Sequence, residues 1–264
     1  MTLDNKIKID DGSQVIKEIS NTIKNGDIII LDTGMLIPRI FDVENNRFMK
    51  IPEFIRILDG SYDFIKEVGN SFKKYYENLY YLCSLYNPIL IEEVKQEIEP
   101  LYDILTSINR NMKRGVKQLS FKKDRIHGYP YNNCGIFSIK KRINCFNEIR
   151  RFTKQIRKNI SSLTERFVNK IVDEDFSNIY KSVEDIVRDM HNVNEISLTD
   201  KAIVSYALYY SLKDKSKPLI LSGDRHIKNI IAKLNVYKNL NNILASARAM
   251  VIYVGKNYIE KAEM

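Results

Sequence analysis

The chain has 264 residues, of which 42 are Lys or Arg and 33 are Asp or Glu, so its formal net charge is +9. Its 44% content of hydrophobic residues is enough for a folded core and excludes a disordered or fibrous chain. The longest aliphatic run, residues 28–31, is far shorter than a membrane span, and three scattered cysteines exclude a disulfide scaffold. The polar, acid-containing N-terminus is unlike a secretory signal, so we expect a cytoplasmic protein without a membrane anchor.

The positive charge is concentrated in one segment. Residues 107–170 contain 17 Lys and Arg but only 3 Asp and Glu, a local net charge of +14, which leaves −5 for the other 200 residues. A long cationic stretch with so few compensating acids is typical of a surface that binds a polyanion, most often nucleic acid. The alternative is a solvated helix face without a ligand. We predict a nucleic-acid partner.

The first half of the chain alternates predicted helices with short apolar strands. Residues 13–24 have apolar side chains at helical spacing, and the β-branched run at 27–31 is typical of a buried strand. Pro100 is expected to kink its helix or to start a new turn. Three further helices are predicted at 51–58, 62–86 and 92–105. A second strand is predicted at 88–91.

The second half begins with a basic segment and then returns to alternating elements. Gly and Pro residues predict a loop at 124–138, and apolar steps of three and four from Ile139 to Ile171 predict one long amphipathic helix. Short strands separated by helices indicate a parallel α/β sheet. The remaining helices are predicted at 176–190, 199–212 and 225–234. The remaining strands are predicted at 218–221 and 249–254.

These elements predict an α/β core with one large insertion. The core comprises residues 1–106 and 191–264, and residues 107–190 form a basic helical insertion. Most cationic side chains of the predicted long helix lie off its apolar stripe, where they could follow a phosphate backbone and add affinity rather than sequence recognition. We therefore predict that nucleic acid is bound by Lys140, Lys141, Arg142, Arg150, Arg151, Lys154, Arg157 and Lys158.

Acidic residues follow two of the predicted strands. Asp32 comes directly after the first strand, and Asp224 follows the strand at 218–221 after Ser222 and Gly223. In open α/β sheets, ligands bind beyond the carboxyl ends of the strands, so these two carboxylates could converge on a divalent cation. Carboxylate oxygens suit Mg²⁺ or Mn²⁺.

Two further acids are placed on predicted helices. Asp200 lies near the start of one helix, and Glu97 lies on the helix after the second strand, where Glu93 on the same face is an alternative. Each acid also has a structural interpretation. The two acids after strands could cap the helices that follow, Ser197 and Asp200 fit a capping box, and Glu97 could be an exposed helix charge.

The four acids occur in a recognisable order and context. The segments concerned are Ile29-Ile-Leu-Asp32-Thr33, Val94-Lys-Gln-Glu97-Ile98, Ile196-Ser-Leu-Thr-Asp200 and Leu219-Ile-Leu-Ser-Gly-Asp224. In this arrangement the chain resembles the PIN-domain ribonucleases. The resemblance covers about residues 26–38, 86–105 and 195–236 and does not extend to 107–190.

The resemblance implies both a fold and an activity. The expected fold is a PIN-like α/β/α core with a parallel sheet, and the expected site holds one or two Mg²⁺ or Mn²⁺ ions. The expected activity is that of a metal-dependent endoribonuclease, in which water activated by such ions would attack a phosphodiester of RNA, favoured over DNA, without a side-chain nucleophile. Thr33 and Ser222 would orient the water or the carboxylates. Family members often form dimers, so a homodimer is one expected partner arrangement. A protein inhibitor is another partner that the resemblance allows. The expected catalytic and metal-binding residues are Asp32, Glu97, Asp200 and Asp224.

Three other interpretations are open. A non-catalytic nucleic-acid-binding protein with a degenerate PIN fold would share the same segments. A haloacid-dehalogenase-type phosphatase also has an Asp after its first strand, but it needs a second acid two positions later, where this chain has Gly34. A zinc site from His127, Cys134 and Cys145 is disfavoured because these residues lack closely spaced ligand pairs.

Overall fold

A computed structural model gives the fold, which is mostly helical with small β-sheets. The structure describes residues 7–9, 11–23, 28–42, 44–45, 47–50, 53–54, 62–126, 133–169, 171, 173–190, 195–237, 241, 243–255 and 259–264. In chain order, its strands are β1 (Ile7–Ile9), β2 (Ile29–Leu31), β3 (Ile40–Asp42), β4 (Arg47–Met49), β5 (Leu90–Ile91), β6 (Val168–Asn169), β7 (Leu219–Ser222), β8 (Met250–Val254) and β9 (Ile259–Glu263). Its α-helices are α1 (Ser13–Thr22), α2 (Tyr62–Tyr86), α3 (Glu92–Ile126), α4 (Asn133–Phe167), α5 (Glu174–Arg188), α6 (Leu198–Asp214) and α7 (Arg225–Tyr237).

The chain forms two compact units. The sheet unit consists of Gly12–Ile37, Asn78–Ile98 and Ser162–Met264, and the helical unit consists of Met1–Asp11, Pro38–Glu77 and Glu99–Ser161.

These boundaries differ from those predicted for the core and the insertion. The predicted insertion, 107–190, coincides with the helical unit only as far as Ser161. Residues 162–190 belong to the sheet unit because β6 pairs with β5 and α5 packs on α6. Residues 38–77 belong to the helical unit, in which β3 pairs with β1.

The sheet unit contains a parallel sheet with one antiparallel edge. Strand β2 pairs in parallel with β7, which pairs in parallel with β8, and β9 runs antiparallel to β8. On the other side of β2, a parallel bridge between Ile30 and Ile89 connects the β5–β6 pair. The order is therefore β6-β5-β2-β7-β8-β9. Because β5 and β6 follow on one side of β2 and β7 and β8 on the other, the strand order reverses between β2 and β7, which is where doubly wound sheets bind ligands.

Burial explains why these short segments form strands. Ile30, Leu31, Ile220 and Leu221 are completely buried, as expected for parallel strands that are covered on both faces. Helix α6 is likewise buried around most of its circumference, which is typical of a helix in the core of a domain. This packing fixes the carboxyl ends of β2 and β7 beside each other.

The helical unit is built from a small antiparallel sheet and long helices. Strand β3 pairs with β1 and β4. The ring of Phe72 on α2 lies 5.7 Å from that of Phe152 on α4, with an edge-to-face geometry. Helices α3 and α4 run antiparallel, because Asn109 contacts the backbone of Arg150 and Gly115, further along α3, lies against the ring of Phe146.

The structure confirms the α/β class, the helix at 62–86 and the strands that precede Asp32 and Asp224, and it corrects three boundaries. Helix α3 continues through Pro100 to Ile126 instead of ending at residue 105, because its second half packs against α4. The predicted loop at 124–138 is wrong for 124–126 and 133–138, which are helical, and residues 127–132 lie outside the described part. Helix α4 ends at Phe167 rather than near Ile171, because the next two residues form β6.

Several strands were not predicted from the sequence. They are β1, β3, β4, β6 and β9, each of five residues or fewer. The predicted helix at 51–58 lies largely outside the described residues. Among the helices that the structure describes, none combines the length and the apolar character needed to cross a bilayer.

Candidate active site

Asp32 lies at the carboxyl end of β2, next to the end of β7. Its backbone N–H donates to the carbonyl oxygen of Leu221 at 3.0 Å, which extends the pairing of the two strands by one residue. Asp32 is only 5% exposed, and it forms no side-chain cap on the short 3-10 turn Thr33–Met35 that follows. The structural interpretation of Asp32 as a helix cap is therefore wrong.

Ser222, the last residue of β7, connects two of the predicted acids. Its hydroxyl group donates to Asp32 Oδ2 at 2.7 Å and accepts the backbone N–H of Asp224 at 2.8 Å. Because Ser222 is completely buried, this hydrogen-bonded pair fixes the orientation of the Asp32 carboxylate. Ser222 thus contacts a carboxylate directly, and its expected role at a metal site stays a prediction.

Burial and neighbouring charges raise the pKa of Asp32 from its ordinary value of 3.8 to about 7. Burial has the largest effect because it removes the charged form from water. The hydrogen bond from Ser222 lowers the pKa in part, and the negative charges of Asp200, Asp224 and Glu97 raise it further. All four predicted acids therefore interact electrostatically in the sheet unit.

Asp200 and Asp224 each use one carboxylate oxygen to cap a helix. Asp200 Oδ2 accepts the backbone N–H of Ser197 at 2.9 Å in a reciprocal capping box on α6. Asp224 Oδ1 accepts the backbone N–H of His226 at 2.7 Å at the start of α7. Their structural interpretation is therefore confirmed. Within the described residues, Oδ1 of Asp200 and Oδ2 of Asp224 accept no hydrogen bond.

The structure distinguishes Glu97 from its alternative, Glu93. Glu97 is exposed and accepts the hydroxyl hydrogen of Thr33 at 2.6 Å, and its charge acts on Asp32. Glu93 faces other groups: burial raises the pKa values of Tyr180 and Tyr206, and the negative charge of Glu93 adds to both rises. Glu93 Oε2 is buried and has no hydrogen-bond partner in the part of the chain that the structure describes. Glu97 is therefore the glutamate beside Asp32.

Two residues near the acids were not assigned to the site from the sequence. His226 Nε2 lies 3.9 Å from Asp224 Oδ1. Burial raises the pKa of Asp200, the negative charge of Asp224 raises it further, and His226 opposes this rise. A Cβ atom at Gly34 would lie 3.5 Å from Asp32 Oδ2 and 3.7 Å from the backbone nitrogen of Gly223. Each of these residues lies two positions after a predicted acid, Gly34 after Asp32 and His226 after Asp224. This proximity in sequence is the signal that could have placed them near the site.

The donor set suits a hard divalent cation in charge and in atom type, since every predicted ligand is a carboxylate oxygen. The side chains do not, however, form a closed ligand shell. In the described ranges, no three His, Cys, Asp or Glu side chains are grouped closely enough to hold a metal ion. The cluster is thus an electrostatically coupled set of acids, and among the residues that the structure describes, each aspartate has one carboxylate oxygen that accepts no hydrogen bond.

The predicted nucleic-acid contacts belong to a different unit. All eight basic residues lie on α4 in the helical unit. Seven are exposed, and Arg150 is half-buried with a buried Nε atom that has no hydrogen-bond partner among the residues described. Arg151 forms a salt bridge with Glu148, with 3.0 Å between Nη1 and Oε1. The exposed residues are Lys140, Lys141, Arg142, Arg151, Lys154, Arg157 and Lys158.

No protein-family model, curated protein or solved structure matches this chain. The resemblance to PIN-domain ribonucleases therefore stays a prediction, and the case for a function depends on the carboxylate cluster and on the cationic helices.

Proposed function

We propose that the protein is a divalent-metal-dependent nuclease that hydrolyses phosphodiester bonds, with RNA as its preferred substrate and with Asp32, Glu97, Asp200 and Asp224 as its catalytic residues. The observation that carries this proposal is the environment of Asp32. Asp32 is a buried carboxylate at the reversal point of a parallel sheet, and three more acids act on it electrostatically. Burial first, and then these three negative charges, raise its pKa to about 7. Such an arrangement destabilises the protein unless a cation binds there, and perturbed acids of this kind are concentrated at functional sites.

Each residue has a defined part in this proposal. Mg²⁺ or Mn²⁺ bound by the four acids would supply a Lewis acid that activates water and stabilises charge on the phosphate. Ser222 fixes one oxygen of Asp32 and leaves the other for a ligand. Thr33 holds Glu97 in the same way. The capping bonds fix Asp200 and Asp224 on rigid helix starts, so little side-chain freedom is lost on binding.

The cationic helix α4 supports a polyanionic substrate. Its exposed Lys and Arg side chains can contact phosphates without recognising sequence. The resemblance to ribonucleases favours RNA over DNA, and a cytoplasmic location is part of the same proposal.

A cleavage assay tests the proposal. Purified protein is expected to cleave labelled RNA with Mg²⁺ or Mn²⁺, to lose activity in excess EDTA, and to lose on the order of a hundredfold or more in rate in D32N and D224N. The matched control is D103N, which removes an exposed carboxylate of α3 and should keep the wild-type rate. Intact RNA and intact single-stranded DNA under all metal conditions, or equal cleavage by D224N and the wild type, would contradict the proposal.

A non-catalytic nucleic-acid-binding protein is the second candidate. It is favoured by the capping roles of Asp200 and Asp224 and by the fact that the described acids do not form a closed metal-binding group. Under this alternative, RNA binding persists in D32N and D224N, and no metal ion produces cleavage in any variant.

A further inference from the structure

The helical unit contains a groove between helices α3 and α4. Its volume is about 200 Å³, and both of its walls lie within Glu99–Ser161. The two antiparallel helices are held close by Gly115, at which even a methyl group would approach the Phe146 ring to 2.6 Å, and by Asn109, whose side-chain N–H donates to the Arg150 carbonyl at 3.1 Å. The groove is lined by Leu105, Thr106, Asn109, Arg110, Lys113, Thr153, Lys154 and Arg157.

The two walls carry paired cations of the same spacing. Arg110 and Lys113 lie three residues apart on α3, and Lys154 and Arg157 lie three residues apart on α4, so each pair lies on one face of its helix. All four are exposed, the lining contains no acidic residue, and within the described residues none of the four forms a salt bridge. The groove thus presents four positive charges without local compensation.

The floor of the groove is polar, neutral and rigid. Thr153 Oγ1 donates to the Ile149 carbonyl at 2.9 Å, and Thr106 Oγ1 donates to the Tyr102 carbonyl at 2.7 Å. Both hydroxyl groups are therefore held by their own helices, and Thr153 Oγ1 also accepts the Asn109 side-chain N–H at 3.5 Å, so the polar groups of the floor are fixed by hydrogen bonds. Because the lining is cationic and mostly polar, the groove suits a polar, negatively charged chain better than an apolar helix or peptide.

We propose that this groove binds the sugar–phosphate backbone of single-stranded nucleic acid, with phosphates between the two cationic walls and sugar hydroxyl groups on the polar floor. A single strand is thin and flexible enough to lie along the surface groove that two packed helices leave between their exposed side chains. A duplex is a rigid cylinder with its phosphates on the outside and reaches only the rim. This inference rests on the proposed function in one respect, namely that the ligand is a polynucleotide. It goes further by including Arg110 and Lys113 in the binding surface and by specifying a single-stranded substrate.

Binding in the presence of EDTA tests the groove separately from cleavage. Fluorescence anisotropy with labelled oligouridylate would compare the wild type with R110Q/K113Q on one wall and K154Q/R157Q on the other. Each double substitution is expected to raise the Kd about tenfold. It should also make the negative slope of log K against log salt shallower by about 1.4, since each of two lost phosphate contacts on a single strand contributes about 0.7. The matched control is K66Q/K73Q, which removes two exposed lysines of α2 in the same unit.

The outcomes separate this inference from the nuclease proposal. Thermal melting curves that coincide with the wild type show that the groove variants are folded. If oligouridylate binding is unchanged in both wall variants, or falls equally in K66Q/K73Q, the groove is not the binding site. If an RNA duplex binds the wild type as tightly as the single strand does, the strandedness is wrong. Binding without cleavage would overturn the nuclease alone, and metal-dependent cleavage with wild-type binding by both wall variants would overturn the groove alone.

Discussion

The two units concentrate opposite charges in opposite ways. In the sheet unit, Asp32 is buried, and its nearest hydrogen-bond donor is the neutral hydroxyl group of Ser222. In the helical unit, Arg110 and Lys154 are exposed and solvated above a polar floor. Burying a charge costs several kcal/mol, whereas a surface charge costs little, so the acidic cluster is the strained region and the cationic groove is the relaxed one. This contrast is the basis of both proposals, a small cation as the ligand of the first unit and a long polyanion as the ligand of the second.

The largest predicted effect concerns the stability of the acidic cluster. The folded pKa of Asp32 is about 7 and its unfolded value is 3.8, so between these pH values the folded state binds more protons. The free energy of unfolding should therefore fall as pH rises through this window, by about 4 kcal/mol in total. D32N keeps the shape of the side chain without the charge. At pH 8 in EDTA, we expect it to be more stable than the wild type by up to about 4 kcal/mol, and at pH 4 by little.

Urea denaturation across this pH range measures the effect. The difference between wild type and D32N cancels the titration of all other groups, and D103N serves as the exposed control whose curve should follow the wild type. A constant difference between D32N and wild type at every pH would show that Asp32 is not the strained group, and the comparison between the units would lose its basis.

A smaller effect is expected in the helical unit, where two glycines in helices meet different surroundings. A Cβ atom at Gly69 on α2 would meet nothing within 4 Å, whereas one at Gly115 on α3 would lie 2.6 Å from Phe146. G69A should stabilise the protein by about 1 kcal/mol, because Ala loses less backbone entropy than Gly in a helix. G115A has the same favourable effect on backbone entropy, but its methyl group crowds the interface between α3 and α4. Because overpacking costs about 1–3 kcal/mol, we expect G115A to lower the free energy of unfolding by about 1 kcal/mol in total.

Thermal or urea denaturation of the two variants tests the packing of the groove walls directly. Because G115A pushes α3 away from α4, it should also weaken oligouridylate binding, while G69A should leave it unchanged. Equal stabilisation by both substitutions would mean that α3 and α4 are not in close contact at Gly115.

The elements around the acids were predictable because their signals are local. The run Ile29–Leu31 is apolar and includes two β-branched isoleucines, and the Asp that follows it lies at the strand end whatever the topology. The capping box of Ser197 and Asp200 is likewise readable over four residues. By contrast, β6 has two residues and exists through its pairing with β5, and β9 is a charged edge strand, so neither carries a strong pattern of its own.

The groove could not be predicted because it depends on contacts between distant residues. The predicted helix ended at residue 105, so Arg110 and Lys113 were placed only in the basic insertion at 107–190, without an element of their own and without a place among the named nucleic-acid contacts. Tertiary packing on α4 extends the helix and brings these residues opposite Lys154 and Arg157. The cationic residues of α4 were predictable from their periodicity, but which of them face a groove was not.

The central claim is that Asp32 and its neighbouring acids bind a divalent cation, and a Mn²⁺ titration followed by electron paramagnetic resonance tests it most directly. The wild type should reduce the signal of free Mn²⁺, with an affinity that increases from about pH 6 to pH 8 as Asp32 loses its proton. D32N and D224N should bind at least tenfold more weakly, and D103N should match the wild type. Equal Mn²⁺ affinity in all four proteins, or no binding by the wild type at pH 8, would contradict the account.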